Sequence, residues 1–177
     1  ELPEGPQAMT GLNLAVIDYE SGNLRSVAKA LERAGAQPVV TSDPKMLLES
    51  DAAILPGVGS GDAAMRALQK RGLVEPIREF VASGKPFMGV CLGLQLLMDG
   101  TDEGDAQCLG IVPGRTRQLR PGLKVPHMGW NQVQFSARHP VFEGVASDAH
   151  FYFVHSYYAD PEDKSLVAGV TEYGVPF

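Results

Sequence analysis

Apolar and polar residues alternate along this chain in two rhythms, and the change falls near Gly100. In the first half, short apolar runs at 13–19, 37–41, 52–55 and 87–90 are predicted as strands. Between them, Leu24, Val27, Ala28 and Leu31 recur at the spacing of one helix face. They predict a helix over 24–34, opened by the turn Ser21-Gly22-Asn23 and closed by Gly35. Asp43 and Pro44 start a short helix over 44–49, and 62–70 and 73–82 are also helical. Strands and helices alternating with short links predict an α/β fold: an open, mostly parallel, doubly wound sheet with helices on both faces.

After Gly100 the long helical periods stop. Pro113, Gly114, Pro121, Gly122 and Pro126 punctuate short runs, and 116–119, 131–135, 151–158 and 165–171 read as strands. They predict an antiparallel extension of the sheet in the C-terminal half. Along 151–158 the alternation sets Tyr152, Val154, Ser156 and Tyr158 on one face, and Phe151, Phe153, His155 and Tyr157 on the other. Residues 1–8 are polar, rich in Pro and Gly, and precede Met9. They read as a remnant of cloning, which leaves 9–177 as one domain.

The segment 84–98 organises the rest. Pro86 forbids helix just before an apolar run over 87–90, Cys91 stands where that run stops, and 92–98 reads as a helix buried on most sides. Gly89-Val90-Cys91-Leu92-Gly93 thus places a thiol on a strand-to-helix turn between two glycines. Such a turn lifts a nucleophile above the sheet edge at strained dihedrals, and the start of a helix favours an anion there. The Leu92 amide lies where an oxyanion would develop. The alternative is a buried, inert cysteine. Pro56-Gly57-Val58-Gly59, after another strand, can present backbone amides at the same edge, or can be an ordinary tight turn.

Composition narrows the partners. The chain has 177 residues, 44% hydrophobic and 20% charged, with a net charge of -6. This argues against binding nucleic acid or an anionic membrane. A free thiol at Cys91 implies a reducing, cytoplasmic setting. A thiol nucleophile needs a base, normally a histidine. Of four histidines, His139 reads as surface, His150 as a strand start, and His127 falls in Val-Pro-His-Met-Gly-Trp. His155 is either that base or a hydrogen-bonded neighbour of the site.

The blocks at 18–27, 56–59, 89–97, 124–131 and 152–158, taken in order, resemble one family. That family is the glutaminase subunit of imidazole glycerol phosphate synthase, a triad-type class I glutamine amidotransferase of histidine biosynthesis. The resemblance runs from Asn13 to Phe177. It implies that Cys91 attacks the side-chain amide of glutamine. It implies an oxyanion hole from Leu92 and from Gly57, Val58 and Gly59, and glutamine binding by Gln95, Ser156 and Tyr157. Ammonia would pass to a barrel-type cyclase subunit, docked against Tyr19, Asn23, His127, Met128, Trp130 and Asn131. Neither a cofactor nor a metal is implied. In this family the subunit alone is nearly idle, and the Gly57–Gly59 peptides are expected in a non-donating orientation without the partner.

Three departures stand out. The family usually has Gly where this chain has Glu20, and often an aromatic residue where it has Gly61. The family's catalytic histidine and glutamate lie in a Phe-His-Pro-Glu segment beyond the block that closes this sequence. The 177-residue chain therefore supplies one member of the triad and is expected to hydrolyse glutamine weakly or not at all. A second reading is a catalytically silent binding or regulatory subunit of the same fold. A third is a different thiol hydrolase with His155 or His150 as base.

Overall fold

The computed structural model describes residues 12–120, 122–136 and 139–177. The remnant expected at 1–8 lies outside them. The first half alternates β1 (Leu14–Ile17), α1 (Leu24–Arg33), β2 (Pro38–Thr41), α2 (Pro44–Glu49), β3 (Ala52–Gly57), α3 (Gly61–Lys70), α4 (Val74–Ala82), β4 (Phe87–Cys91) and α5 (Leu92–Gln95). The strands form one parallel sheet in the order β2-β1-β3-β4. Helix starts follow their capping residues. Asn23 accepts from the Ser26 N–H at 3.2 Å, and Asp43 from the Lys45 N–H at 2.9 Å.

Strand alternation divides the sheet into two faces. Ala15, Ile17, Ala53 and Leu55 join Leu47, Leu68, Ile77 and Phe80 in the main core, which α2, α3 and α4 help to build. On the opposite face Val40, Val16, Ile54 and Met88 form one row across the strands. Helix α1 packs along β1 and β2. Val16 and Ile54 in the middle of the row are buried, whereas Val40 and Met88 at its ends are half exposed.

The second half contains β5 (Gly100–Thr101), β6 (Gly114–Gln118), β7 (His127–Gln132), β8 (Gln134–Phe135), β9 (His150–His155), β10 (Tyr157–Pro161) and β11 (Gly169–Val170). Here the structure corrects the expected extension. Among the described residues these strands form three small sheets of their own, β10-β6-β5, β11-β8 and β7-β9. The strand expected over 151–158 breaks at Ser156, whose carbonyl accepts from the Leu119 N–H at 2.9 Å. Before the break it pairs with β7, and after it with β6. The strand expected over 165–171 is a 3-10 turn at Lys164–Leu166 followed by the two residues of β11.

The helix expected over 92–98 is a single turn. The carbonyls of Leu96, Leu97 and Met98 accept from the N–H groups of Leu109, Ile111, Val112 and Gly110, all within 2.8–2.9 Å. After Gln95 the bonds tighten to three-residue spacing, Leu97 N–H to the Leu94 carbonyl and Met98 N–H to the Gln95 carbonyl, and the long-range loop holds the carbonyls that any further turn would use.

Candidate active site

Cys91 closes β4 and caps α5 with φ 55° and ψ -115°. A residue with a Cβ adopts that conformation only when its surroundings over-determine it. The surroundings are the two flanking glycines. A Cβ on Gly93 would lie 1.8 Å from the Leu55 carbonyl oxygen, and one on Gly89 would lie 2.6 Å from the Leu94 nitrogen. Strand β3, the turn and α5 therefore touch backbone to backbone. This fixes the turn and leaves the Cys91 side chain exposed.

The other cysteine behaves in the opposite way. Cys108 is buried, and burial, helped by the charge of Asp62, pushes its thiol up to about 11. The inert cysteine of the chain is this one, and no disulfide joins the two.

Gly57 lies directly opposite Cys91 in the parallel register of β3 and β4. The expected oxyanion loop thus begins beside Cys91, and Val58 is exposed. The Leu92 N–H occupies the first position of α5, where an amide has no intrahelical acceptor. The turn at 21–23 braces the loop from behind. The Ser21 hydroxyl donates to the Val58 carbonyl at 2.8 Å.

A cavity of about 1180 Å³ opens next to the turn. Its lining includes Cys91, Leu94, Gln95, His155, Tyr157 and Phe177. Gln95 Nε2 donates to the Tyr157 carbonyl at 3.0 Å, which ties the one-turn helix to β10. The backbone carbonyl of Gln95 is held by the Thr116 hydroxyl at 3.0 Å. Of the three expected glutamine-binding residues, Gln95 and Tyr157 line the cavity with Cys91, while the backbone of Ser156 serves the strand break.

The expected partner face separates into an exposed part and a buried part. Met128 and Trp130 are 60% and 70% exposed, and Trp130 stacks edge-on against Tyr152 at 5.6 Å. Tyr19 and His127, expected beside them, are buried at 0% and 4% and present no side chain to a partner. Tyr19 instead lies against Gly57. Its hydroxyl has no hydrogen-bond partner among the described residues and would meet a Cβ on Gly57 at 2.6 Å. Burial raises its phenol above the ordinary value, and charge on nearby Cys91 pushes the same way. Asn23 is committed to capping α1.

His155 is not free to act as the base. Its Nδ1 bonds the Tyr157 carbonyl at 3.0 Å and its Nε2 bonds His127 Nδ1 at 2.9 Å. His150 starts β9 at the opposite end from His155 and faces solvent. His139 caps a surface 3-10 turn, accepting from the Val141 N–H. Sequence reasoning missed the Thr116 hydroxyl and the contact between His127 and His155. The second was within reach of the pattern, because antiparallel pairing of β7 with β9 sets the two histidines directly opposite one another.

The departures at Glu20 and Gly61 have local causes. Glu20 sits at φ 69°, a conformation that suits glycine, and its carboxylate pairs with Arg71. A Cβ on Gly61 would press on Thr101 at 3.2 Å.

With this geometry in view, the family model described as glutamine amidotransferase class-I matches residues 15–175. The chain belongs to the class-I glutamine amidotransferases. Among curated relatives it is 49% identical over 164 residues to the imidazole glycerol phosphate synthase subunit HisH of Synechococcus elongatus, covering 91% of this chain and 76% of the relative. It is 46% identical over 165 residues to the subunit of the same name from Dehalococcoides mccartyi, with 93% and 80% covered. Among solved structures it resembles one described as a glutamine amidotransferase, with TM-score 0.70 and 18% identity over 90% of this chain and 85% of the other. It also resembles PurLQS from Thermotoga maritima, with TM-score 0.70 and 21% identity over 92% of this chain and 75% of the other. At these identities the two structures speak for the α/β fold. As a member of this family the chain is a glutamine amidotransferase, an enzyme of histidine biosynthesis by its relatives. Among the described residues no helix is long and apolar enough to cross a membrane, and among them no group of three or more His, Cys, Asp or Glu is placed to hold a metal.

Proposed function

We propose that Cys91 is the nucleophile of a glutaminase that serves a cyclase subunit of imidazole glycerol phosphate synthase. The observation that carries this is the Cys91 turn itself: an exposed thiol held at positive φ, in register with Gly57 and sharing a cavity with Gln95 and Tyr157. The sulfur attacks the side-chain carbonyl carbon of glutamine. The carbonyl oxygen gains charge and is met by the Leu92 N–H and by an N–H of the Gly57–Gly59 loop. The amide nitrogen takes a proton and leaves as ammonia, and water then releases glutamate from the thioester. A preorganised amide of this kind contributes about a hundred- to a thousandfold in rate.

The proton for that nitrogen comes from a base that His155 does not supply, since both its ring nitrogens are engaged. This disfavours the third reading, a thiol hydrolase built on His155. We expect the chain to turn over glutamine weakly without the cyclase and fully with it. Met128 and Trp130 supply the exposed anchor for that partner. The Ser21 hydroxyl holds the Val58 carbonyl and so restrains the Val58–Gly59 peptide. A free thiol nucleophile suits a reducing cytoplasm.

The test is glutamate release by the full-length chain with its cyclase. Cys91→Ala should abolish turnover while leaving the complex intact. Turnover surviving in that variant would refute the assignment.

A further inference from the structure

His127 and His155 face each other across the β7-β9 pair, 2.9 Å apart, and the hydrogen bonds around them fix where every proton sits. At one end, the Tyr157 carbonyl can only accept, so His155 Nδ1 must carry the proton across the 3.0 Å contact. At the other end, Asn131 Oδ1 accepts from the Gln132 N–H at 2.9 Å, which identifies Nδ2 as the donor. That amide nitrogen donates to the Glu172 carbonyl at 3.0 Å and faces His127 Nε2 at a longer 3.5 Å. His127 Nε2 is then the acceptor, and its Nδ1 holds the proton that it gives to His155 Nε2. Both ends demand the same order: two neutral rings, each protonated on Nδ1, all donating towards Tyr157.

The surroundings keep the pair neutral. His127 stacks on Tyr173 with ring centroids 3.9 Å apart and on Phe153 at 5.1 Å, and Phe177 lies 4.7 Å from His155. Among the described residues, the Tyr173 phenol stacks on His127 and the Cys91 thiol lines the same cavity as His155. Among the described residues no carboxylate, lysine or arginine forms an ion pair with either ring, and Glu172 touches the network only through its carbonyl. Burial lowers both histidines below the ordinary value, and His155 lowers His127 further. An extra proton would set two N–H groups face to face across 2.9 Å.

The relay ends at the catalytic turn. The Tyr157 carbonyl accepts from His155 Nδ1 with one lone pair and from Gln95 Nε2 with the other, each at 3.0 Å. A carbonyl with both lone pairs used is fixed in direction. It fixes the flip of the Gln95 amide in turn, so that Oε1 is the atom left to accept from a ligand in the cavity beside Cys91. The relay starts on β7, the strand that also carries the exposed Met128 and Trp130.

We infer that His127 and His155 are positioning residues for glutamine: as a proton-ordered pair they aim the Tyr157 carbonyl, and through it the Gln95 amide, at the substrate beside Cys91. The inference rests on the glutaminase reading, and two measurements separate the failure of one from the failure of the other. The first is ¹⁵N NMR of the histidine rings in the full-length chain at pH 7.5, without substrate. Both rings should be neutral with the proton on Nδ1. An Nε2–H tautomer or an imidazolium at either position would overturn the relay, whether or not the enzyme turns over glutamine.

The second measurement is steady-state glutamine hydrolysis by the full-length chain with its cyclase. His155→Phe keeps a ring against Phe177 but removes the donor, and should raise KM for glutamine about five- to tenfold with kcat changed less than twofold. His155→Asn places an amide N–H near the Nδ1 position and should return KM to within about twofold of the parent. In the parent, KM should rise as pH falls well below the ordinary histidine value, and in His155→Asn that rise should flatten. An unchanged KM in His155→Phe, or the same loss of kcat in both variants, would overturn the inference. Should His155→Phe not fold, His155→Asn and the ring tautomers still decide it. No turnover by the parent complex, with both tautomers as expected, would overturn the glutaminase reading and leave the proton order standing.

Discussion

Replacing Cys91 by glycine and by alanine should reverse the usual ranking of these two residues. In an ordinary position glycine is less stable than alanine by about 0.5–1 kcal/mol, because its unfolded chain has more freedom to lose. Position 91 is not ordinary. At φ 55° and ψ -115° any residue with a Cβ pays a conformational cost, of order 1–3 kcal/mol. Alanine keeps that cost and glycine removes it. The side chain is exposed, so truncation leaves no cavity to confuse the comparison. Subtracting the entropy term from the relieved strain leaves Cys91→Gly more stable than Cys91→Ala by about 1 kcal/mol at the middle of the ranges, and by roughly 0–2.5 across them. For a chain of this size about 1 kcal/mol is roughly 2–4 °C in Tm. Urea unfolding of both variants in the full-length chain measures the difference directly. If the glycine variant unfolds first, by the usual half to one kcal/mol, the turn is not strained and the account of the nucleophile fails.

The same turn makes Gly93 intolerant. Gly93→Ala would drive a methyl to 1.8 Å from the Leu55 oxygen, and relief requires moving β3 or α5. A loss of about 3 kcal/mol or more is expected, whereas a glycine replaced in open space at ordinary dihedrals would gain about 0.5–1; a denaturation midpoint near that of the parent would show the elements are not in contact. On the exposed ribbon, Trp130→Ala should weaken cyclase binding about thirtyfold, as for a central aromatic anchor. The isolated chain should shift by no more than about 0.5 kcal/mol, since the indole is 70% exposed; titration calorimetry and thermal melts read the two effects separately, and equal affinity would move the docking face elsewhere. The buried histidines predict a pH dependence of stability. Both sit below the ordinary value of 6.5, so the unfolded chain binds more protons just below that pH. Their contribution is complete above about 6.5 and is lost as pH falls through their lowered values. The stability difference between the parent and His155→Asn should therefore shrink between pH 7 and pH 5; a constant difference would place the histidine in contact with a charge not seen among the described residues.

The alternation of elements, the helix caps and the Cys91 turn were all legible in the sequence, because each is a local matter. A capping Asn or Asp, a proline or a pair of glycines acts within a few residues, so 24–33 and 44–49 became helices as the pattern required. The glycines at 89 and 93 announced a close approach before any strand was placed. Tertiary structure decided what depends on distant partners. The helix after Cys91 tightens after one turn and goes no further, with the carbonyls of 96–98 bonded to residues 109–112 instead. The aromatic strand breaks at Ser156 because β6 and β7 compete for its two halves. Tyr19 and His127 carried the same residue types as an exposed partner face and proved to be buried, since exposure is set by what packs on top. The opposition of His127 and His155 belongs to this second group. Alternation tells which face a side chain takes, but only the register between two strands tells which residue it meets.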